Sequence, residues 1–257
     1  MPLNPQVTEA RSRTRLYSHL ADTDDDIRAS QALRYKVFAR ELGASLGSME
    51  AGLDRDYLDD FCYHLLVKDA DTGAVVASTR LLKNESAKQA GGFYSENEFH
   101  MSCLYDLPGR SAEVGRTCVD PDYRQGPAIT VLWSGLSRFV IDFKIDYFFG
   151  CASIEMKDGG LLAQAIMNNI RKKGMADPRW SVVPKSPLPP LPPNSEEIVS
   201  APLPPLLKAY FRLGAKACGE PCYDADFNCA DILVLVDMAN VNTKYVRYFL
   251  GRDSVHE

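Results

Sequence analysis

Apolar positions along this chain switch between a helical and a strand period, and the switches delimit its elements. In IRASQALRYKVFARELG, Leu33 and Val37, then Phe38 and Leu42, lie four apart and make one apolar helical face. Asp22, Asp24, Asp25 and Asp26 precede it, where carboxylates favour the positive end of a helix dipole, and Gly43 provides a stop. HLLVKDADTGAVVASTRLL places two Val/Leu-rich runs around Asp-Ala-Asp-Thr-Gly, which predicts a hairpin. SAEVGRTCVDP predicts a strand closed by Asp120-Pro121-Asp122. After YRQG, Pro127 suits the first position of the strongest helix, with Ile129, Leu132, Trp133, Leu136, Val140 and Phe143 at helical spacing. DYFFGCASI is an uninterrupted apolar run, predicted as a strand buried on both faces. Asp158 is placed to cap a helix carrying Leu162, Ile166 and Ile170, which Gly174 stops. A short helix, LLKAYFRLG, and a last strand, DILVLVDM, complete the series.

The central strand–loop–helix–strand piece is a βαβ unit, whereas the early hairpin demands antiparallel pairing. Both are met by an α/β fold with a mixed sheet and helices on both faces. Residues 1–22 read as a loosely held arm and 23–257 as a single domain, interrupted by a proline-crowded segment at 184–205 that serves as a lid or a linker.

Composition narrows the function classes. A net charge of −5 argues against nucleic-acid binding, which needs a basic field against phosphates. No run of about 18 apolar residues is present, and the polar N-terminus lacks a signal peptide's apolar core. A cytoplasmic location is therefore expected, with peripheral association at the inner face of the membrane still open. The seven cysteines read as buried reduced thiols rather than a disulfide framework.

Candidate chemistry gathers around the third strand. The loop DYRQGPA leads into a helix whose first N–H groups are free to bind a phosphate or pantetheine group, with Arg124 adding a charge beside Gln125 and Gly126; the alternative is a plain connection. Glu113 and Arg116 fall on opposite faces of a regular strand, unless Gly115 marks a bulge. A bulge also frees a backbone N–H to polarise a carbonyl; otherwise the two side chains form an internal ion pair. Asp54, Asp56, Asp59 and Asp60 form an acidic stretch fit for a cationic amine, or a solvated loop. Cys218, Cys222 and Cys229 lack zinc-ligand spacing, His64 reads as a structural residue, and no metal site is expected.

These pieces stand in a familiar order. RYKVF at 34–38, TRLL at 79–82, GGFYSENEF at 91–99, EVGRTCVDPDYR at 113–124, FGCAS at 149–153, RLGAKACGEP at 212–221 and ADILVLVDM, with a Tyr-Val-Arg-Tyr-Phe-Leu tail, resemble the ornithine N-acyltransferases of ornithine-lipid synthesis. These hemolysin-like acyltransferases lie within the GNAT superfamily, and the likeness spans residues 27 to 250. The acyl-homoserine-lactone synthases are more distantly similar, through Arg34 and Phe38, Asp56 and Asp59, Arg80 to Leu82, and Glu113 with Arg116. Their tryptophan soon after the first helix is not evident, which weakens S-adenosylmethionine as a substrate.

The resemblance implies a GNAT-like, mostly antiparallel sheet and an enzyme that moves a (3-hydroxy)fatty acyl group to the α-amine of ornithine. The donor it implies is an acyl carrier protein thioester, with no tightly bound cofactor. It gives Asp56, Asp59 and Glu113 to the amine, with Glu113 accepting a proton, and Arg34, Arg80 and Arg116 to orienting those carboxylates or binding the substrate's own. Backbone N–H groups from Val114 through Gly115 and Arg116 to Thr117 would polarise the thioester, while Arg124, Gln125 and Gly126 grip the pantetheine arm. An acidic carrier protein needs a basic landing patch, for which Arg124, Arg138, Lys144 and Arg171-Lys172-Lys173 are candidates. Acylation of another amino acid or a signal precursor, and a non-catalytic carrier-binding module, are the competing readings.

Overall fold

A computed structural model describes residues 15–47, 51–191 and 200–241. The Thr23 hydroxyl accepts the Asp26 N–H at 3.2 Å and starts α1 (Asp24–Tyr35), which runs on through a wider π turn to Glu41. Gly43, at φ 76°, turns the chain out of it. The hairpin forms as β2 (Tyr63–Asp69) and β3 (Val75–Lys83), followed by α2 (Asn84–Ala90) and the short β4 (Phe99–His100). Then come β5 (Ser111–Val119), α3 (Ala128–Phe143), β6 (Tyr147–Glu155), α4 (Leu161–Lys173) and β7 (Val183–Pro184). The last elements are α5 (Pro205–Leu213), β8 (Lys216–Ala217), β9 (Cys222–Asp224) and β10 (Cys229–Asp237).

One edge strand, β1 (Leu16–Leu20), precedes all of these. It pairs antiparallel with β2, Leu16 opposite Asp69 and Leu20 opposite Leu65. The expected loose arm is thus corrected over 16–20: alternation is weak in LYSHL, but β2 leaves a row of backbone groups that only a neighbouring strand satisfies. Residues 1–14 lie outside the described residues.

The sheet runs from that edge strand through β2, β3, β5, β6 and β10 to β8, with β9 also on β10. Every pairing in it is antiparallel except β5–β6. α3 packs with Leu65, Leu81 and Ala112 on one face, and α4 and α5 continue that layer over Ile154, Ile232 and Val234. On the other face lie α1, packed against Val75 and Cys118, and α2 with the β4–β7 pair, packed on Leu82, Phe149 and Leu233. The mixed, mostly antiparallel sheet with helices on both faces is the architecture expected.

Three local details differ. Pro127 precedes α3 rather than occupying its first position. The proline-crowded stretch is seated at its start, where Pro184 pairs with Phe99 and Pro187 bridges to Cys222. β6 is buried on both faces only in its middle, and Ser153 and Glu155 are exposed. The reason is positional: β5 leaves β6 after Glu113 meets Phe149. From there β5 follows β3 and β6 follows β10, so the sheet splits into a wedge.

Candidate active site

The wedge opens into a cleft of about 550 Å³ that passes through the sheet. Val114 to Thr117 line one side and Gly150 to Ser153 the other. Toward α3 and α5 it is apolar, walled by Trp133, Leu136, Val140, Leu207, Tyr210 and Val234, with the Trp133 and Tyr210 rings stacked at 5.9 Å. Toward the opposite face it is polar, reaching Tyr94, Glu113, Arg116, Asp224 and Asp231.

Glycine is required at position 150. A Cβ there would stand 2.1 Å from the Val114 carbonyl oxygen, a backbone atom that cannot swing aside. Gly150→Ala is expected to force the two strands apart, costing about 1–3 kcal/mol of stability as an overpacked site does. Acyl transfer should fall with it; a thermal midpoint and turnover both equal to the parent's would show that the strands do not approach this closely.

The strand β5 is bulged where its polar residues cluster. Ser78 opposes Cys118 and Arg80 opposes Gly115, so Arg116 and Thr117 together face Thr79. Arg116 takes the left-handed conformation at φ 50°, one residue beyond the glycine that signalled the bulge. The Thr79 hydroxyl donates to the Gly115 carbonyl at 3.2 Å and lies 2.7 Å from the Thr117 hydroxyl, pinning the irregular segment. The bulge turns the Arg116 side chain to the face that carries Glu113.

Three aspartates and three arginines then form one buried network. The fully buried Arg34 donates through Nε to Asp54 at 2.9 Å and through Nη1 to Asp59 at 2.7 Å. Arg80 reaches Asp56 at 2.6 Å and Asp59 at 2.9 Å. Arg116 lies 3.3 Å from Asp54 and 3.8 Å from Asp56, its guanidinium over the Tyr94 and Phe227 rings at 4.5 and 5.1 Å. Burial works against a charged Asp59, but the bonds and charges of Arg34 and Arg80 outweigh it and hold its carboxyl well below the ordinary range. Asp56 caps the turn at Tyr57–Phe61 through the Leu58 N–H, and the Asp59 carboxylate accepts the Asp56 N–H in return. Within the acidic stretch, Asp54, Asp56 and Asp59 are therefore held by arginines, while Asp60 is exposed, 3.8 Å from Arg55. Asp59 and Arg34 are sealed by their partners, whereas Arg116, 13% exposed, and Arg80, 4% exposed, line the cleft. A smaller cavity of about 350 Å³, lined by Asp54, Asp56, Tyr57 and Phe227, also opens on Arg116.

Glu113 does not pair with Arg116. Its carboxylate accepts the Tyr94 N–H at 2.8 Å, the Ser95 N–H at 2.7 Å and the Ser95 hydroxyl at 2.5 Å. Burial raises its pKa and those three donors oppose the rise. The Ser95 hydroxyl lies 3.4 Å from the Cys151 sulfur, which donates weakly to Glu98 at 3.5 Å, so a polar row crosses the sheet toward Asp231. Burial first, then the charges of Asp231 and Asp224, push Glu98 up to about 9. His64 is buried with Nε2 3.2 Å from the Asp59 carbonyl, and burial lowers its pKa. All seven cysteines are free thiols.

The loop expected to hold pantetheine stands apart from the cleft lining. Arg124 donates both Nη groups to Glu41, at 2.6 and 2.7 Å, while Gln125 and Gly126 are exposed before α3. Of the basic landing patch, Arg138 pairs with Asp142 and Arg171 with Glu220. Sequence reasoning did not single out Tyr94, Ser95, Glu98, Asp231 or Phe227. GGFYSENEF carried a signal in its two acids, Glu96 and Glu98, between aromatic residues, but no periodicity assigned them a partner.

Comparison with known proteins follows the same lines. Residues 33–134 match the family described as Acetyltransferase (GNAT) domain. An L-ornithine N(alpha)-acyltransferase of Rhizobium meliloti is 33% identical, over 93% of this chain and 85% of its own. That of Rhodobacter capsulatus is also 33% identical, over 91% of this chain and 94% of its own. Among solved structures, the acyl-homoserine lactone synthase LasI superposes with a TM-score of 0.55 at 12% identity, over 91% of this chain and 95% of its own. FeeM, an N-acyl amino acid synthase from uncultured soil microbes, does so at 0.52 and 10%, over 88% and 93%. At such identities these two speak for the fold. A wedge split between two parallel strands of a GNAT sheet, and a third of the residues shared over nine-tenths of the chain, place this protein among the L-ornithine N(alpha)-acyltransferases, a family of GNAT acyltransferases.

Proposed function

We propose that this N-acyltransferase moves a (3-hydroxy)fatty acyl group from an acyl carrier protein thioester to the α-amine of ornithine, the first step of ornithine-lipid synthesis. The observation that carries this reading is the single cleft with two chemistries. The cleft as a whole, about 550 Å³, falls within the roughly 300–1,000 Å³ of ligand sites; its apolar end suits an alkyl chain and its polar end a charged amino acid. A short acetyl group would leave the Trp133–Tyr210 wall unfilled.

In this reading the thioester carbonyl sits in the wedge, where backbone N–H groups of Val114 to Thr117, loosened from the ladder by the bulge, polarise it. Arg116 binds the amino acid's carboxylate, and Asp54 and Asp56 hold that guanidinium in place. Arg34 and Asp59 stabilise the network from behind, and Arg80 reaches the cleft beside Arg116. Glu113 fixes the Tyr94–Ser95 turn that shapes the polar end, and so positions rather than accepts the proton directly. The neutral amine attacks the carbonyl carbon, the C–N bond forms as the C–S bond breaks, and the proton lost by the nitrogen passes to the departing thiolate, with no covalent enzyme intermediate. The exposed turn from Arg124 to Gly126 meets the carrier's prosthetic arm outside the cleft. No helix among the described residues is long and apolar enough to cross a membrane, so contact with lipid in this reading is peripheral.

The test is acylation of ornithine with thioesters of increasing chain length, on carrier protein and on coenzyme A. Long-chain 3-hydroxyacyl carrier protein is expected to exceed acetyl-CoA by orders of magnitude in kcat/KM. Equal rates with acetyl-CoA would overturn the lipid reading.

A further inference from the structure

The polar end of the cleft holds a second set of ionisable groups that the transfer step leaves unused. Asp231 on β10, Glu98 just ahead of β4 and Cys151 on β6 bring their side-chain donor atoms within 4.8 Å of one another. Asp231 belongs to a second such group with Asp224 and Cys229. The Asp231 side chain lines the cleft from inside an apolar strand, 4% exposed, and Glu98 lies behind it at 7%. One oxygen of each, Asp231 Oδ1 and Glu98 Oε1, is buried with no hydrogen-bond partner.

The contrast with the neighbouring network decides what this cluster lacks. Asp54, Asp56 and Asp59 are matched by Arg34, Arg80 and Arg116. No salt bridge joins Glu98, Asp224 or Asp231 to a lysine or arginine among the described residues. Buried carboxylates without a counter-charge are costly, and a shared proton relieves that only in part. What completes the site is a cation arriving through the cleft. A compact ammonium, with its three N–H donors, fits a set of carboxylate acceptors. The sulfurs of Cys151 and Cys229 are poor metal ligands here, because burial keeps both protonated.

We infer that Asp231, with Glu98 behind it and Asp224 beside it, is the subsite for the second, side-chain ammonium of a dibasic amino acid, and that the enzyme selects diamino over monoamino acceptors there. This rests on the proposed reading of the acceptor as an amino acid held by Arg116. Arg116 and Asp231 both line the cleft and carry opposite charges, so they fix the two ends of a zwitterion bearing an extra amine and leave the α-amine toward the wedge.

The experiment compares ornithine with norvaline, which has the same carbon chain without the terminal amine, using a long-chain acyl thioester. The wild-type protein and the Asp231→Asn, Asp224→Asn and Glu98→Gln variants are assayed. Asp231→Asn is expected to lower kcat/KM for ornithine about 10- to 100-fold, as loss of a charged hydrogen bond does, mainly through KM. Norvaline should change by no more than about twofold. An equal loss for both acceptors would reduce Asp231 to a structural role and overturn the subsite. So would chelator-sensitive activity that a divalent ion restores in the wild type but not in Asp231→Asn. If Asp231→Asn melts early, the half-buried Asp224→Asn supplies the same comparison. Wild-type protein that acylates no amino acid would sink the acceptor reading itself, whereas equal use of ornithine and norvaline would sink the subsite alone.

Discussion

Replacing Arg34 with alanine is expected to destabilise this protein by about 3–5 kcal/mol, the cost of leaving buried carboxylates without their partner. Arg34 is fully buried, and its guanidinium bridges Asp54 and Asp59 by both side-chain and backbone acceptors. Lysine should not rescue it, because one ammonium cannot span two carboxylates with fixed fork geometry. Urea denaturation followed by tryptophan fluorescence measures the loss; a shift below about 1 kcal/mol would mean that water reaches the network.

The same network sets a pH dependence. The Asp59 carboxyl is held well below its unfolded value of about 3.9, so its stabilisation is fully present above that pH. It is lost as pH falls through the folded value. Glu98 has the opposite sign: raised to about 9, it keeps a proton that the unfolded chain releases above about pH 4.3. Its contribution therefore erodes stability as pH rises between those two values. Arg34→Ala should flatten the acid limb of the wild-type stability curve and leave the alkaline trend in place.

Arg116→Asn is expected to lower kcat/KM for the amino acid by about 10²- to 10³-fold, the loss from removing one partner of a buried charge pair. Asparagine is the substitution to use, since it tolerates the left-handed backbone at φ 50° better than alanine does. Binding of the acyl thioester, read by fluorescence titration, should be unchanged if the chain lies, as proposed, on the apolar wall formed by α3 and α5 on the other face. A matching loss of thioester affinity would show instead that Arg116 braces the wedge. Arg116→Lys should recover little, since it keeps the charge but loses the planar group stacked on Tyr94 and Phe227.

Much of the frame was legible because its signals are local. Four-residue spacing in α1 and α3, the Asp-Ala-Asp-Thr-Gly turn, and the apolar runs of β6 and β10 each depend on neighbours close in the chain. The strand at 16–20 was not, since five residues of mixed polarity become a strand only when β2 offers an edge. Gly115 pointed to the bulge within one residue. The identity of the left-handed residue was decided by the Thr79 contacts from β3.

The charged residues divide in the same way. Through resemblance to the ornithine N-acyltransferases, the sequence grouped Arg34, Asp56, Asp59, Arg80, Glu113 and Arg116 as one expected site. It also determined the helices and strands that carry them. Only the tertiary structure decided which charges neutralise one another and which remain for a ligand. Asp59 stands in an acidic stretch and Asp231 in an apolar strand, yet neither setting tells which charge will face it. The difference is that α1 brings Arg34 against Asp59, whereas Asp231 meets Glu98, thiols, Asp224 and the Ser153 hydroxyl, with no salt bridge to an arginine or lysine among the described residues. A carboxylate's role depends on the sign of the charge a few ångströms away, and that neighbour is set by how the sheet folds rather than by position in the chain.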